Sequence, residues 1–274
     1  MIKPYEHTLG DLLFTQEQSV LRSQSRSREL FGREWKNLSV FELPSCSSSL
    51  DVAWDLISRK QMSPGDSVLC LEQTRGRGRM RRTWLSPAGN IHAALYLPPA
   101  RSEEMNRILP VVVGYCILIT LRKKGMEVFL KWPNDLVMDD RKIGGILIEE
   151  KKGSLLAGVG LNLKSYPEPD ELRGGRLMDA GSLNEAWPGS DPLLSWAELV
   201  YWSALSYDSQ LQNFSSADFE QEISPCLWKT GHKVRFQRNG ELIEGYLQGM
   251  NRQGEIVLDC FGRLERIREG RMLP

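Results

Sequence analysis

The sequence predicts an α+β fold, with a mixed α/β region followed by a small β-barrel, and three observations predict it. From about Val40 to Pro225, segments with helical spacing of apolar residues are interleaved with alternating, strand-like ones. After Pro225 only short alternating strands remain, broken at Asn239-Gly240, Gln253-Gly254 and Phe261-Gly262. The length of 274 residues, 41% of them hydrophobic and 26% charged, is ample for such a core. Three parts are expected: an N-terminal arm over residues 1–40, a larger domain over 41–226 and the barrel over 227–274.

The arm is polar and rich in Arg and Ser around Arg22–Arg28, with a helix expected from Leu9 to Leu21 and no clear helix-turn-helix pattern. A short helix is expected over Val52–Ile57 and strands over Ser67–Leu71 and Ile91–Leu97. A long helix should run from Leu109 to Lys124. Pro110 suits its first turn, Arg122, Lys123 and Lys124 suit its dipole, and Gly125 closes it. Strands follow at Val128–Lys131, Ile143–Glu149 and Leu155–Leu163, and Asp139-Asp140-Arg141 turns Leu136–Met138 into a hairpin with Ile143. Residues 164–189 read as an irregular connection. Asp191 then caps a second long helix with Pro192 at its first position and Leu193, Trp196, Val200, Ala204, Tyr207 and Leu211 on one face. The barrel strands are expected at Lys233–Phe236, Leu242–Gln248, Ile256–Cys260 and Leu264–Ile267.

Composition excludes several functions. Lys+Arg 35 balances Asp+Glu 35, so no global field recruits DNA or a membrane. The five cysteines are odd in number and scattered, which predicts free thiols in a reducing compartment and no zinc site. His7, His92 and His232 lack ligand spacing. The longest apolar run, Val111–Leu121, is shorter than the roughly 20 residues that span a bilayer. A cytoplasmic protein is expected.

Three motifs carry chemistry. Glu72–Trp84 is an arginine-dense loop after a strand, and its glycines let backbone approach a ligand. Arg77 and Arg79 make it an anion site or, on composition alone, a loop for nucleic acid. Lys131-Trp-Pro-Asn-Asp135 precedes Arg141-Lys-Ile-Gly-Gly-Ile-Leu147. There Lys142 is either a surface lysine or a cation that neutralises phosphate or carboxylate, and Asp135 suits Mg²⁺ or an arginine. Gly158-Val-Gly-Leu-Asn162 reads as close backbone approach, by a ligand or by a packed helix, with Asn162 offering donor and acceptor.

Taken together and in this order, the motifs resemble the biotin protein ligase family. That family carries a GRGR-x-x-R-x-W loop, a KWPND segment, an R-K-x-x-G-I-L strand and a G-x-G-x-N strand. They stand here at Gly76–Trp84, Lys131–Asp135, Arg141–Leu147 and Gly158–Asn162. Trp84-Leu85-Ser86-Pro87 is similar to its W-x-S-P continuation. The resemblance covers about residues 40–274. It implies a mixed sheet like that of class II aminoacyl-tRNA synthetases and biotin–lipoate ligases, with an SH3-like C-terminal domain. It implies activation of biotin by ATP and Mg²⁺ to biotinyl-AMP, then transfer to a lysine of a biotin carboxyl carrier protein or domain. No DNA or membrane partner is implied, and the assembly is a monomer or homodimer. The alternatives are a lipoate-type ligase of the same superfamily and, from a different class, a non-catalytic biotin-sensing regulator.

Residue by residue, the resemblance implies a biotin site of Ser48, Ser49, Gln73, Arg77, Gly78, Arg79, Lys142 and Gly145. The adenylate side comprises Arg77, Arg79, Trp84, Asn134, Lys142 and Asn162, with Asp135 toward Mg²⁺. Lys142 and Arg79 are the catalytic pair. Leu50 replaces a family asparagine, and Arg81 stands where glycine is common, which predicts strain if φ is positive there. In the barrel, Arg263, Arg266 and Arg268 are candidates to reach phosphate or an acidic acceptor.

Overall fold

The structure is a computed structural model that describes residues 39–100, 102–167, 178–189 and 191–273. The expected arm and its Leu9–Leu21 helix lie outside the described residues.

A seven-stranded mixed sheet is built from β1 (Val40–Leu43), β2 (Ser67–Cys70), β3 (Ile91–Leu97), β4 (Phe129–Lys131), β5 (Asp135–Met138), β6 (Arg141–Lys151) and β7 (Ser154–Leu161). Its order is β1-β2-β3-β7-β6-β5-β4. β1 and β2 are parallel, joined by the crossover helix α1 (Ser49–Ser58). The remaining neighbours are antiparallel. The β5–β6 turn places Asp139 and Asp140 at φ 53 and 56°, the left-handed pair that a two-residue hairpin requires. Three further helices follow: α2 (Glu103–Arg107), α3 (Leu109–Lys123) and α4 (Pro192–Asn213). The expected Asp191 cap is present, its carboxylate accepting from Leu194 N–H at 3.1 Å.

Alternation along the strands divides the core between the two faces of the sheet. Leu69, Ala93, Ile146 and Val159 join α3 and α4 through Val112, Val113, Trp196 and Val200. On the opposite face α1 places Leu50, Ala53 and Leu56 against Val68, Cys70, Ala94 and Leu156. Among the described residues, α1 is the helix packed on that second face.

After α5 (Ser216–Ile223), an antiparallel five-stranded sheet comprises β8 (Lys233–Arg238), β9 (Glu241–Met250), β10 (Ile256–Cys260), β11 (Arg263–Ile267) and β12 (Arg271–Leu273). Its order, β11-β10-β9-β8-β12, suits an SH3-like domain. Phe236, Leu247, Ile256, Leu258 and Met272 share one buried cluster with the larger sheet. Trp132 joins the two, donating from its indole to Gly254 O at 3.0 Å with its ring 6.1 Å from Phe236. Topology changes near residue 227, but packing runs through the change.

The structure corrects one expectation about the thiols. Cys46 and Cys70 are disulfide-bonded, while Cys116, Cys226 and Cys260 are free. The 24-residue separation hid a pair that the parallel β1–β2 pairing brings together. Free thiols throughout therefore no longer argue for a reducing compartment. No helix among the described residues is long and apolar enough to cross a membrane.

Candidate ligand-activating site

The site forms on the α1 face, where three glycines line the floor. In register across the sheet, Asp135 pairs with Gly145, Gly145 with Gly160, and Gly160 with His92. Gly158 lies two residues along the same face of β7. A Cβ on Gly160 would come within 2.4 Å of the Trp84 ring, and one on Gly158 within 3.0 Å of Leu50 Cδ1. The two glycines thus make room for an indole and for the buried Leu50.

At the α1 end, the side chain of Gln73 accepts from Ser49 N–H at 2.7 Å and donates to Ser86 Oγ at 2.8 Å. Ser48 and Ser49 are buried there at the helix start. The expected Ser48–Ser49–Gln73 group is therefore one contiguous wall. His92 adds a residue that sequence reasoning missed. It is buried on this same face of the sheet, its Nε2 lies 3.0 Å from Pro87 O, and its Nδ1 has no partner in the structure. Burial pushes its pKa down, so the ring is neutral.

The arginine loop is a small hairpin over this floor. Trp84 N–H donates to Gly76 O at 2.9 Å, Gly78 N–H to Arg82 O at 2.8 Å, and Arg77 bridges Thr83. A Cβ on Gly76 would meet Trp84 O at 2.3 Å, so glycine is needed at that crossing. At the tip, the left-handed residue is Met80 (φ 55°), within the turn Arg79–Arg81.

Loop cations face carboxylates and amides. Arg77 donates to Asp51 Oδ1 at 2.6 Å and to Glu149 Oε1 at 3.1 Å. Partial burial lowers its pKa, but the Asp51 hydrogen bond and the charges of Glu149 and Asp51 outweigh that, and the net shift is upward. Arg79 donates to Asn134 Oδ1 at 3.0 Å, while Asn134 Nδ2 donates to Ile146 O at 2.9 Å. Gly78 stands between the two arginines as the extended residue before the turn.

Lys142 anchors the other end. Its Nζ donates to Asp135 Oδ1 at 2.6 Å and lies 5.5 Å from the centre of the Trp84 ring. Gly145 borders this corner, and a Cβ there would make only ordinary contact, 3.5 Å from Asp135 Oδ1 and 3.6 Å from Lys142 Nζ. The backbone of Lys142 is clamped by Asp179 O and Gly181 N–H, and Asn162 Nδ2 holds the same segment by donating to Gly181 O at 2.9 Å. Asn162 is buried and supports Lys142 from below. No group of three or more His, Cys, Asp or Glu suited to a metal ion occurs among the described residues.

Two more cations were not anticipated in this role. Lys131 is buried, with Nζ 5.1 Å from the Trp228 ring centre. Burial, opposed by Asp135 and reinforced by the charges of Lys142 and Arg271, lowers its pKa to about 8. Lys131 thus feels the charges of Lys142 and Arg271, and Arg271, on β12, that of Arg82. Of the barrel arginines Arg263, Arg266 and Arg268, the candidates for phosphate or an acidic acceptor, Arg263 and Arg268 form ion pairs with Glu265 and Glu255. Lys131 was visible within its motif, but Arg271 had no sequence signal beyond its charge.

The candidate site is thus a basic hairpin over a glycine-lined sheet face, with Lys142 at its other end. The profile of the Biotin/lipoate A/B protein ligase family matches residues 43–165. The chain is 30% identical over 240 residues to the bifunctional ligase/repressor BirA of Salmonella typhimurium, covering 82% of this chain and 70% of that protein. It is 25% identical to the biotin--[acetyl-CoA-carboxylase] ligase of Mycobacterium tuberculosis, covering 85% of this chain and 86% of that one. In fold it resembles the biotin protein ligase from Aquifex aeolicus in complex with biotin and ATP, with TM-score 0.72 and 23% identity over 85% of this chain and 97% of that one. The chain belongs to the biotin/lipoate protein ligase family and, within it, to the biotin ligases, which are enzymes.

Proposed function

We propose that this enzyme activates biotin with ATP to biotinyl-5'-AMP and then transfers the biotinyl group to a lysine of a biotin carboxyl carrier protein or domain. The observation that carries this reading is the single site in which Arg77, Arg79 and Lys142 face a floor lined by Gly145 and Gly160. Ser48, Ser49 and Gln73 then take the ureido end of biotin, which needs both donors and acceptors. The indole of Trp84 offers the adenine a platform, and Lys131, Arg82 and Arg271 receive the phosphates.

The first step brings a carboxylate to a polyphosphate, and the two repel. The cations offset that repulsion and align the carboxylate oxygen with the α-phosphorus. The new P–O bond forms as the bond to pyrophosphate breaks. In the second step the acceptor amine attacks the acyl carbon, AMP leaves, and the amine loses a proton. Neither step needs an enzyme nucleophile. Mg²⁺ supplies charge neutralisation on the phosphates, and Asp135 is the carboxylate that would meet it, in competition with Lys142. The relatives' names support a carboxylase carrier as acceptor.

The test is intact mass of a purified biotin carboxyl carrier domain after incubation with enzyme and ATP. A gain of one biotinyl group with biotin, and none with lipoate, is expected. Transfer of lipoate instead, or no transfer, overturns the reading.

A further inference from the structure

Arg77 is shared between two carboxylates that are held very differently. Its Nη2 reaches Glu149 on β6 at 3.1 Å, and Glu149 also accepts from the indole Nε1 of Trp54 at 2.7 Å. Trp54 is itself covered by Lys151, whose Nζ lies 4.8 Å from the ring centre. Glu149 is therefore fixed from two sides and is 23% exposed. Asp51 holds Nη1 at 2.6 Å, is 46% exposed, and has no second side-chain partner among the described residues. It stands in the first turn of α1, next to the Ser48–Ser49 wall.

One guanidinium cannot serve three carboxylates. With Asp51 and Glu149 both engaged the local charge already sums to minus one. An incoming carboxylate adds a second uncompensated charge unless a resident one withdraws. The one that withdraws is the one with a single, water-exposed contact. We infer that Asp51 is a built-in competitor that occupies the anion position of Arg77 until biotin's carboxylate displaces it, while Glu149, held by Trp54, is the positioning residue that keeps Arg77 aimed. This rests on the proposed role of Arg77 as receiver of that carboxylate. The device keeps the loop closed over the floor when no ligand is bound, and it sets the biotin concentration at which the exchange occurs.

Opposite signs follow from the two carboxylates. Asp51→Asn keeps shape and removes the competing charge. An exposed ion pair is worth a factor of about 1.5–5 in equilibrium, so biotin should bind about 1.5–5-fold more tightly, by calorimetry on the full chain. Asp51→Ser should do the same. The gain should shrink in high salt, which screens the exposed pair in the parent. Glu149→Gln and Trp54→Phe should each weaken biotin, by about tenfold for a guanidinium left unaimed. A residue that merely supported the fold would weaken binding in both positions.

Arg77→Met separates this inference from the reading beneath it. Loss of biotin affinity in Arg77→Met, and disappearance of the Asp51→Asn gain in that background, is the expected cycle. Unchanged affinity in Arg77→Met means that Arg77 is not the receiver, and the proposed site fails. Lost affinity in Arg77→Met, with Asp51→Asn weakening or not altering binding, overturns the competitor alone.

Discussion

Alanine at Gly160 would place a methyl where the indole of Trp84 now rests. The added carbon would stand 2.4 Å from Trp84 Cε2, 2.5 Å from Cζ2 and 2.7 Å from Nε1. Carbon atoms settle at about 3.5–4.0 Å, so the ring must retreat by about 1 Å or more. The backbone of Trp84 gives little, since its N–H is held by Gly76 O and its carbonyl by Ser86 Oγ. Overpacking of this kind costs about 1–3 kcal/mol. If the indole is the adenine platform, that cost emerges as a rise of about 5–150-fold in the KM for ATP. Gly158→Ala is the matched control. Its new carbon would meet Leu50 Cδ1 at 3.0 Å, so it overpacks the buried Leu50 at a cost of about 1–3 kcal/mol of stability but leaves the Trp84 ring, and with it the KM for ATP, unmoved. Steady-state pyrophosphate release against ATP concentration measures both. A KM in Gly160→Ala within twofold of the parent would refute the stacking argument.

Two further outcomes follow from burial and covalent structure. Lys131 titrates near 8 rather than 10.5, so the folded protein holds fewer protons than the unfolded chain between those values. Its charging cost is full below pH 8 and is relieved as pH rises toward 10.5. Lys131→Met should therefore gain stability over the parent at pH 7, and the gap in denaturant midpoint should narrow between pH 8 and 10.5; a constant gap contradicts the assignment. Thiol titration of the unreduced, denatured protein should find Cys116, Cys226 and Cys260 reactive, with Cys46 and Cys70 joining only after reduction. Five reactive thiols at the outset would contradict the bond.

Much of this arrangement was legible in the sequence because its signals are local. The Ile91–Leu97 strand and the Asp191–Pro192 helix start are set by periodicity and capping over a few residues, and both stand as read. The β5–β6 hairpin follows from Asp139-Asp140, whose short side chains tolerate positive φ. The five-residue helix α2, capped by Ser102, is too short to show a period. What the sequence hid depends on distant pairing. Glu149 and Asp51 look like ordinary surface acids until β6 and α1 bring both to Arg77. Arg271 meets the charge of Lys131 only because β12 pairs with β8 at the barrel edge and the barrel packs on Trp132. The Cys46–Cys70 bond likewise needs the β1–β2 register. The left-handed residue of the arginine loop is Met80, a choice that composition does not dictate.

The central claim is that Lys142, with Arg77 and Arg79, allows biotin's carboxylate to attack ATP. Biotin-dependent exchange of labelled pyrophosphate into ATP reads that step alone, without an acceptor. Lys142→Met should reduce the exchange rate by about 100–1000-fold, the range for removing one preorganised stabilising group, while melting as a folded protein. Exchange within threefold of the parent would contradict the account.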